Sequence, residues 1–324
     1  MAGSVGRLRR RIMTPSADKT SADKRGFFVK DEATKELLAN TPTYFRAGFG
    51  EAIETGDPVE TGHRLNLVER PYRQFAYEGA AMGLAVLDAM SPRRHDRIAR
   101  FLAGPAERYQ HGVHVGLGFA LARLPRMRAR RIVPSDPFLR WRSVDGYGFY
   151  LAFFHTEAYV DGHQPGPAVP WPGLGYEGYA PRAIDQGIGR ALWFIAGADV
   201  ERVTVMIDGF GRERRSDLWS GAGLAAAYAG GATEDELRLL AERAGRFRQY
   251  VAQGAALAAT TRVRADLVLP YTAMATRVLC GLSPGDAAAL TETALASLPA
   301  DDDLPAFEMW RRSVAAEFMT LGRR

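Results

Sequence analysis

Asp217-Leu218-Trp219-Ser220-Gly221-Ala222-Gly223-Leu224-Ala225-Ala226-Ala227-Tyr228 is the stretch whose reading decides the fold. With the 3.6-residue period of a helix, Gly221 and Ala225 share a face, and Gly223 and Ala227 lie beside them. The result is a bare stripe against which a neighbouring helix can press closely. An interior glycine costs about 1 kcal/mol relative to alanine, so close packing has to offset the composition.

The phrase recurs. Ala81-Met82-Gly83-Leu84-Ala85, Gly116-Leu117-Gly118-Phe119-Ala120, Gly146-Tyr147-Gly148-Phe149, Gly187-Ile188-Gly189-Arg190-Ala191 and Gly254-Ala255-Ala256-Leu257-Ala258 are its other copies. Their leading residues 81, 116, 146, 187, 221 and 254 are 30 to 41 apart, a period that signals stacked helical units. The spacing predicts an all-α fold of helix pairs in quasi-repeats, packed through Gly/Ala faces. Residues 1–24, mostly Ser, Thr, Ala, Asp and Lys with one Arg-rich knot, read as a flexible arm, and 25–324 as a single all-helical repeat domain.

Local signals fill in the helices. Asp31–Asn40 and Thr43–Glu54 read as two short helices around Pro42, and Ser91-Pro92 as the start of a helix carrying Ile98, Phe101 and Leu102. Val203, Met206, Ile207 and Phe210 keep helical spacing despite β-branching. Thr233-Glu234-Asp235-Glu236 is a capping box, Ser283-Pro284 opens another helix, and Pro305 to Leu321 a last one. Asp161 to Pro181, rich in Pro and Gly yet carrying Trp171, Tyr176 and Tyr179, breaks the rhythm. Segments beyond about 12–15 residues without regular structure are often binding loops or lids.

Composition excludes several classes. Apolar residues make up 47% of the chain, ordinary for a folded globular protein. The net charge of +5 is modest, and the Arg clusters 7–11 and 126–131 lie far apart in sequence, which argues against nucleic-acid binding. One cysteine, Cys280, rules out an internal disulfide and fits a reducing cytoplasm. No apolar run approaches the roughly 18 residues of a membrane span, and the N-terminus lacks the apolar core of a secretory signal.

Polar residues crowd the small-residue phrases. Glu78, Asp145 and Asp185 are the candidates for moving protons, and His114, Tyr147, Gln186, Arg190, Trp219 and Gln253 for lining a substrate site. If the repeats converge, these groups face one cavity, where glycines let a ligand approach the backbone. The plain alternative for Asp185 and Asp217 is helix capping. Glu107, His111 and His114 at i, i+4, i+7 could share a helix face as metal ligands, but no HExxH or acidic-box phrase supports this, and no metal is assigned. Walker, dinucleotide and G-x-S-x-G phrases are missing as well. The residues name no cofactor.

Tyr77-Glu78-Gly79-Ala80-Ala81-Met82-Gly83-Leu84-Ala85, the stretch His114 to Leu124, Asp145-Gly146-Tyr147-Gly148, Asp185-Gln186-Gly187-Ile188-Gly189-Arg190 and Asp217-Leu218-Trp219-Ser220-Gly221 resemble the signature segments of domain-of-unknown-function family 1702. The resemblance runs from about Arg25 to Thr272. It implies a place in a pathway, because members are encoded beside enediyne polyketide synthases and are thought to act with the synthase and other accessory proteins on its polyene product. It assigns no catalytic residue.

The leading expectation is therefore a cytoplasmic enediyne, or related polyketide, biosynthesis protein. It would bind a linear polyene in an apolar, aromatic-walled helical cavity and assist its cyclisation or desaturation. The alternatives are a non-catalytic helical-repeat scaffold or carrier for the synthase or its intermediate, and a metal-dependent oxidase using Glu107, His111 and His114.

Overall fold

The computed structural model describes residues 2–92, 95–169, 171, 174–298 and 303–321. Among them regular structure is entirely helical, with 17 α-helices and no strand. Two compact units emerge from the contacts: residues 1–26, 39–147 and 169–173, and residues 27–38, 148–168 and 174–324. The first unit carries α1 (Ala2–Met13), α2 (Ala22–Arg25), most of α3 (Glu32–Thr55), α4 (Pro58–Leu65), α5 (Arg70–Met90), α6 (Arg97–Leu102), α7 (Gln110–Arg123), α8 (Arg126–Ala129) and the first half of α9 (Arg140–Phe154). To the second belong the rest of α9, α10 (Ala180–Ile195), α11 (Val200–Gly209), α12 (Arg215–Ala229), α13 (Glu234–Ala244), α14 (Arg248–Arg264), α15 (Pro270–Cys280), α16 (Pro284–Ala296) and α17 (Ala306–Leu321).

The glycine phrases sit where helices cross, and one geometry repeats. In the first unit a Cβ on Gly48 of α3 would lie 1.9 Å from the Ala76 carbonyl oxygen of α5, and one on Gly79 would lie 1.8 Å from that of Phe45. Gly118 of α7 meets the Ser143 carbonyl at 2.1 Å and Gly146 of α9 meets that of Val115 at 2.4 Å. The second unit repeats the arrangement between α10 and α12, with Gly189 on Leu218 and Gly221 on Gln186, both at 2.1 Å. It appears again between α12 and α14, with Gly223 on Val251 at 2.2 Å and Gly254 on Ser220 at 1.9 Å. In every pair the carbonyl belongs to the residue three before the partner glycine, so each crossing has a local two-fold character. Backbones this close exchange Cα–H···O contacts, each weak but recurrent. Only glycine fits, which is how the structure offsets the propensity cost.

Several local expectations shift. The two helices foreseen around Pro42 form the single α3, with Pro42 inside. An interior proline costs about 3 kcal/mol, which the packing of Phe45 and Gly48 against α5 outweighs. Ser91 does not open a helix but ends α5, its N–H donating to Leu87 O, and α6 starts only at Arg97. Residues 2–13, read from sequence as part of a flexible arm, form α1, where Arg10 pairs with Glu51 and Glu54 at 2.6 and 3.0 Å. Residues 25–324, read as one repeat body, fall into both units. The Thr233–Glu236 capping box, the Ser283 cap and the helical reading of Val203–Ile207 are all present.

Candidate functional site

In the second unit Asp185 lies mid-helix in α10, not at a cap, and its side chain is buried. The Arg214 guanidinium donates to both carboxylate oxygens through Nε and Nη2, at 2.6–3.1 Å. Its Nη1 donates to the His163 carbonyl at 2.7 Å, and its plane covers the Phe210 ring. Burial outweighs that ion pair and, helped by Asp217 and Glu213, pushes the Asp185 carboxyl up to about 6. Asp185 can therefore exist in either protonation state near neutrality.

Gln186, one residue on, points elsewhere. Its Nε2 donates to Ser220 Oγ at 3.3 Å, and Ser220 Oγ donates to Gln253 Oε1 at 2.6 Å, so one polar ladder ties α10, α12 and α14 together. Gln186 Oε1 and Gln253 Nε2, the open ends of the ladder, are buried without a hydrogen-bond partner among the described residues. Arg190 is buried with its guanidinium 5.3 Å from the centre of the Phe149 ring, and Trp219 is buried on α12.

Asp217 caps nothing either. It accepts from Arg182 Nε at 2.9 Å and from Arg311 Nη2 at 2.8 Å. Glu308 accepts from Arg182, from Arg312 at 2.7 Å and from Arg311 at 3.4 Å, and Arg311 also donates to the Tyr179 hydroxyl at 3.0 Å. This network joins α10, α12 and α17. Burial raises the Tyr179 phenol well above its ordinary value.

Glu78, His114, Asp145 and Tyr147 belong to the first unit and are all buried there. The Glu78 side chain fills the space in front of Gly112. His114 Nδ1–H donates to Gln110 O at 2.8 Å, and burial holds the imidazole below its usual pKa. Asp145 accepts from Arg142 Nη1 at 2.7 Å. The nine residues chosen from sequence are thus divided between two compact units, four in one and five in the other. Glu107 lies in an exposed 3-10 turn before α7, out of phase with the buried His111 and His114. Among the described residues no group of three metal-ligating side chains gathers.

Sequence reasoning missed the guanidinium partners Arg142, Arg182, Arg214 and Arg311, which lie outside the phrases. It also missed Ser220, although Gln186, Ser220 and Gln253 each stand directly before the leading glycine of a copy, a visible signal. Gln74, one turn before Glu78, is buried with both amide atoms unpartnered among the described residues. A groove of about 460 Å³ in the second unit, open on one side, is lined by α14, α15 and α17 through residues such as Arg248, Leu279 and Phe318. It includes none of the nine residues chosen from sequence.

Glycine-crossed helices, buried ion pairs and no metal cluster among the described residues define an all-helical protein built on backbone-to-backbone contacts. Over residues 4–318 the chain matches the family described as Protein of unknown function (DUF1702), and it belongs to that family. No curated protein and no solved structure matches it.

Proposed function

We propose that this protein acts in the biosynthesis of a polyketide, of the enediyne type to which the sequence resemblance points. It takes up a linear polyene and assists its cyclisation or desaturation, with Asp185 as the group that moves the proton. The observation that carries this reading is the Asp185 carboxyl, buried, opposed by Arg214 and pushed up to about 6. A general acid or base is most effective when its pKa lies near the working pH, and perturbed carboxyls cluster at functional sites. Cyclisation of a polyene needs one proton delivered and one removed, so a single carboxyl can be regenerated. Desaturation would in addition draw on an electron acceptor supplied from outside. Glu78 and Asp145 lie in the first unit, where Asp145 accepts from Arg142 Nη1 at 2.7 Å.

The second reading is a non-catalytic carrier or scaffold for the synthase or its intermediate. It is favoured by the placement of the remaining polar set. Gln186 and Gln253 spend hydrogen bonds on Ser220, Arg190 covers Phe149, and the groove of the second unit is lined by other residues. Co-production with the cognate synthase separates the two. A polyene whose exact mass or ultraviolet spectrum changes when the protein is present supports the enzyme, and an unaltered polyene that co-purifies with it supports the carrier.

A further inference from the structure

α1 presents an inverted surface. Its inward side is made by Gly6, whose added Cβ would lie 2.4 Å from Glu54 O, and by Arg9 and Arg10, which bond to Ile53 O, Glu54 O, Glu51 and Glu54 of α3. The outward side carries Val5, Leu8 and Ile12, which are 65%, 59% and 72% exposed. At i, i+3 and i+7 these three form one stripe of the helix. Single exposed apolar residues are common, but a stripe facing solvent on a helix that is otherwise docked is a marked surface.

The stripe is bordered by charge of one sign. Arg7 and Arg11 flank it, both exposed and without an ion pair among the described residues. At the end of α1, Arg123 Nη2 donates to the Met13 carbonyl at 3.4 Å. That bond links the end of α1 to the end of α7, three residues before the second Arg-rich segment. There Met127 is 84% exposed and is flanked by Arg126 and Arg130, again exposed and unpaired among the described residues. Together the two segments carry four exposed apolar side chains and four guanidinium groups without an ion pair among the described residues. Glu51 and Glu54, which could have neutralised them, are already held by Arg10 and Arg64.

We propose that this face of the first unit binds the surface of an anionic lipid bilayer, with Val5, Leu8, Ile12 and Met127 entering the headgroup–acyl boundary and Arg7, Arg11, Arg126 and Arg130 meeting lipid phosphates. A helix with an apolar stripe and Arg at its borders lies in the interface plane in this way. The absence of aromatic side chains among the eight residues separates it from a single-stranded nucleic-acid surface, where bases stack on aromatic rings. The attachment is peripheral, and no helix among the described residues is long and apolar enough to cross a membrane. The inference is independent of the polyketide reading.

The test is co-sedimentation of the full chain with vesicles of phosphatidylcholine alone or with roughly a third phosphatidylglycerol, at low and physiological salt. The protein is expected to pellet with the anionic vesicles only. Arg7→Gln with Arg11→Gln should weaken partitioning about thirtyfold, and Leu8→Glu with Ile12→Glu should abolish it. All four positions are exposed, and an unchanged helical circular dichroism spectrum confirms that the variants are folded. Failure of the parent chain to pellet with anionic vesicles would overturn the proposal. So would equal retention by the Leu8→Glu, Ile12→Glu variant, or a dimer in sedimentation velocity that this variant dissolves, which would show the stripe covered by a second copy.

Discussion

Gly221 stands against the carbonyl oxygen of Gln186 with no room for a side chain, since a Cβ there would lie 2.1 Å from that oxygen and 2.7 Å from the Arg190 nitrogen. Both obstacles are backbone and cannot rotate away. Gly221→Ala is therefore expected to destabilise by about 3 kcal/mol, the upper range for overpacking, although alanine is the better helix former. Gly285, near the start of α16, meets nothing closer than 3.9 Å, and Gly285→Ala should stabilise by about 0.5 kcal/mol. Urea unfolding of the two variants gives opposite signs if the crossing geometry is right.

The phrase around Gly221 also shows what could be read in advance. Bare stripes located six helices, α3 apart, because a glycine needed for a crossing leaves its mark locally in the chain. The partner of each crossing follows from the same marks once the three-residue offset is known, but the offset itself is a product of three-dimensional packing. The ion network was not legible. Arg311 and Arg182 reach Asp217 from 94 and 35 residues away, and nothing in α17 distinguishes Arg311 from the surface arginine beside it. The individual partners of the polar set were not legible either, since the copies share a backbone motif while their side chains serve different neighbours, Arg214 for Asp185 and Ser220 for Gln186.

Asp185 makes stability depend on pH in an unusual direction for a paired carboxylate. Its folded pKa of about 6 lies above the ordinary 3.8 of the free side chain. The unfolded chain thus releases this proton first, and the contribution of the group is complete below about pH 4 and lost as pH rises through about 6. A loss of roughly 3 kcal/mol follows from a shift of about two units. Asp185→Asn should flatten the stability profile across that window, and chemical denaturation at half-unit intervals checks it.

Asp217 holds two guanidinium groups at once. Asp217→Asn should cost about 3–5 kcal/mol, because it leaves the buried Arg311 short of its counter-charge. Adding Arg311→Met should return part of that loss, and a double-mutant cycle measures the coupling.

Ser220 is the central rung of the Gln186–Gln253 ladder. Ser220→Ala removes a donor and an acceptor together and should cost about 1–3 kcal/mol, more than an isolated hydroxyl, because two buried amides lose their partner. Thermal unfolding of Ser220→Ala alongside Thr320→Ala, whose exposed hydroxyl bonds only to Ala316 O, provides the comparison.

The proposed proton transfer by Asp185 to a polyene is tested most directly by product analysis with Asp185→Asn. The cognate polyketide synthase would be produced alone, with the parent protein, and with a folded Asp185→Asn variant, and the released polyene analysed by exact mass and ultraviolet spectrum. A new mass or a shortened chromophore is expected with the parent protein, and the unmodified polyene with the variant. An altered product formed equally well by the variant, or the same polyene in all three, would contradict it.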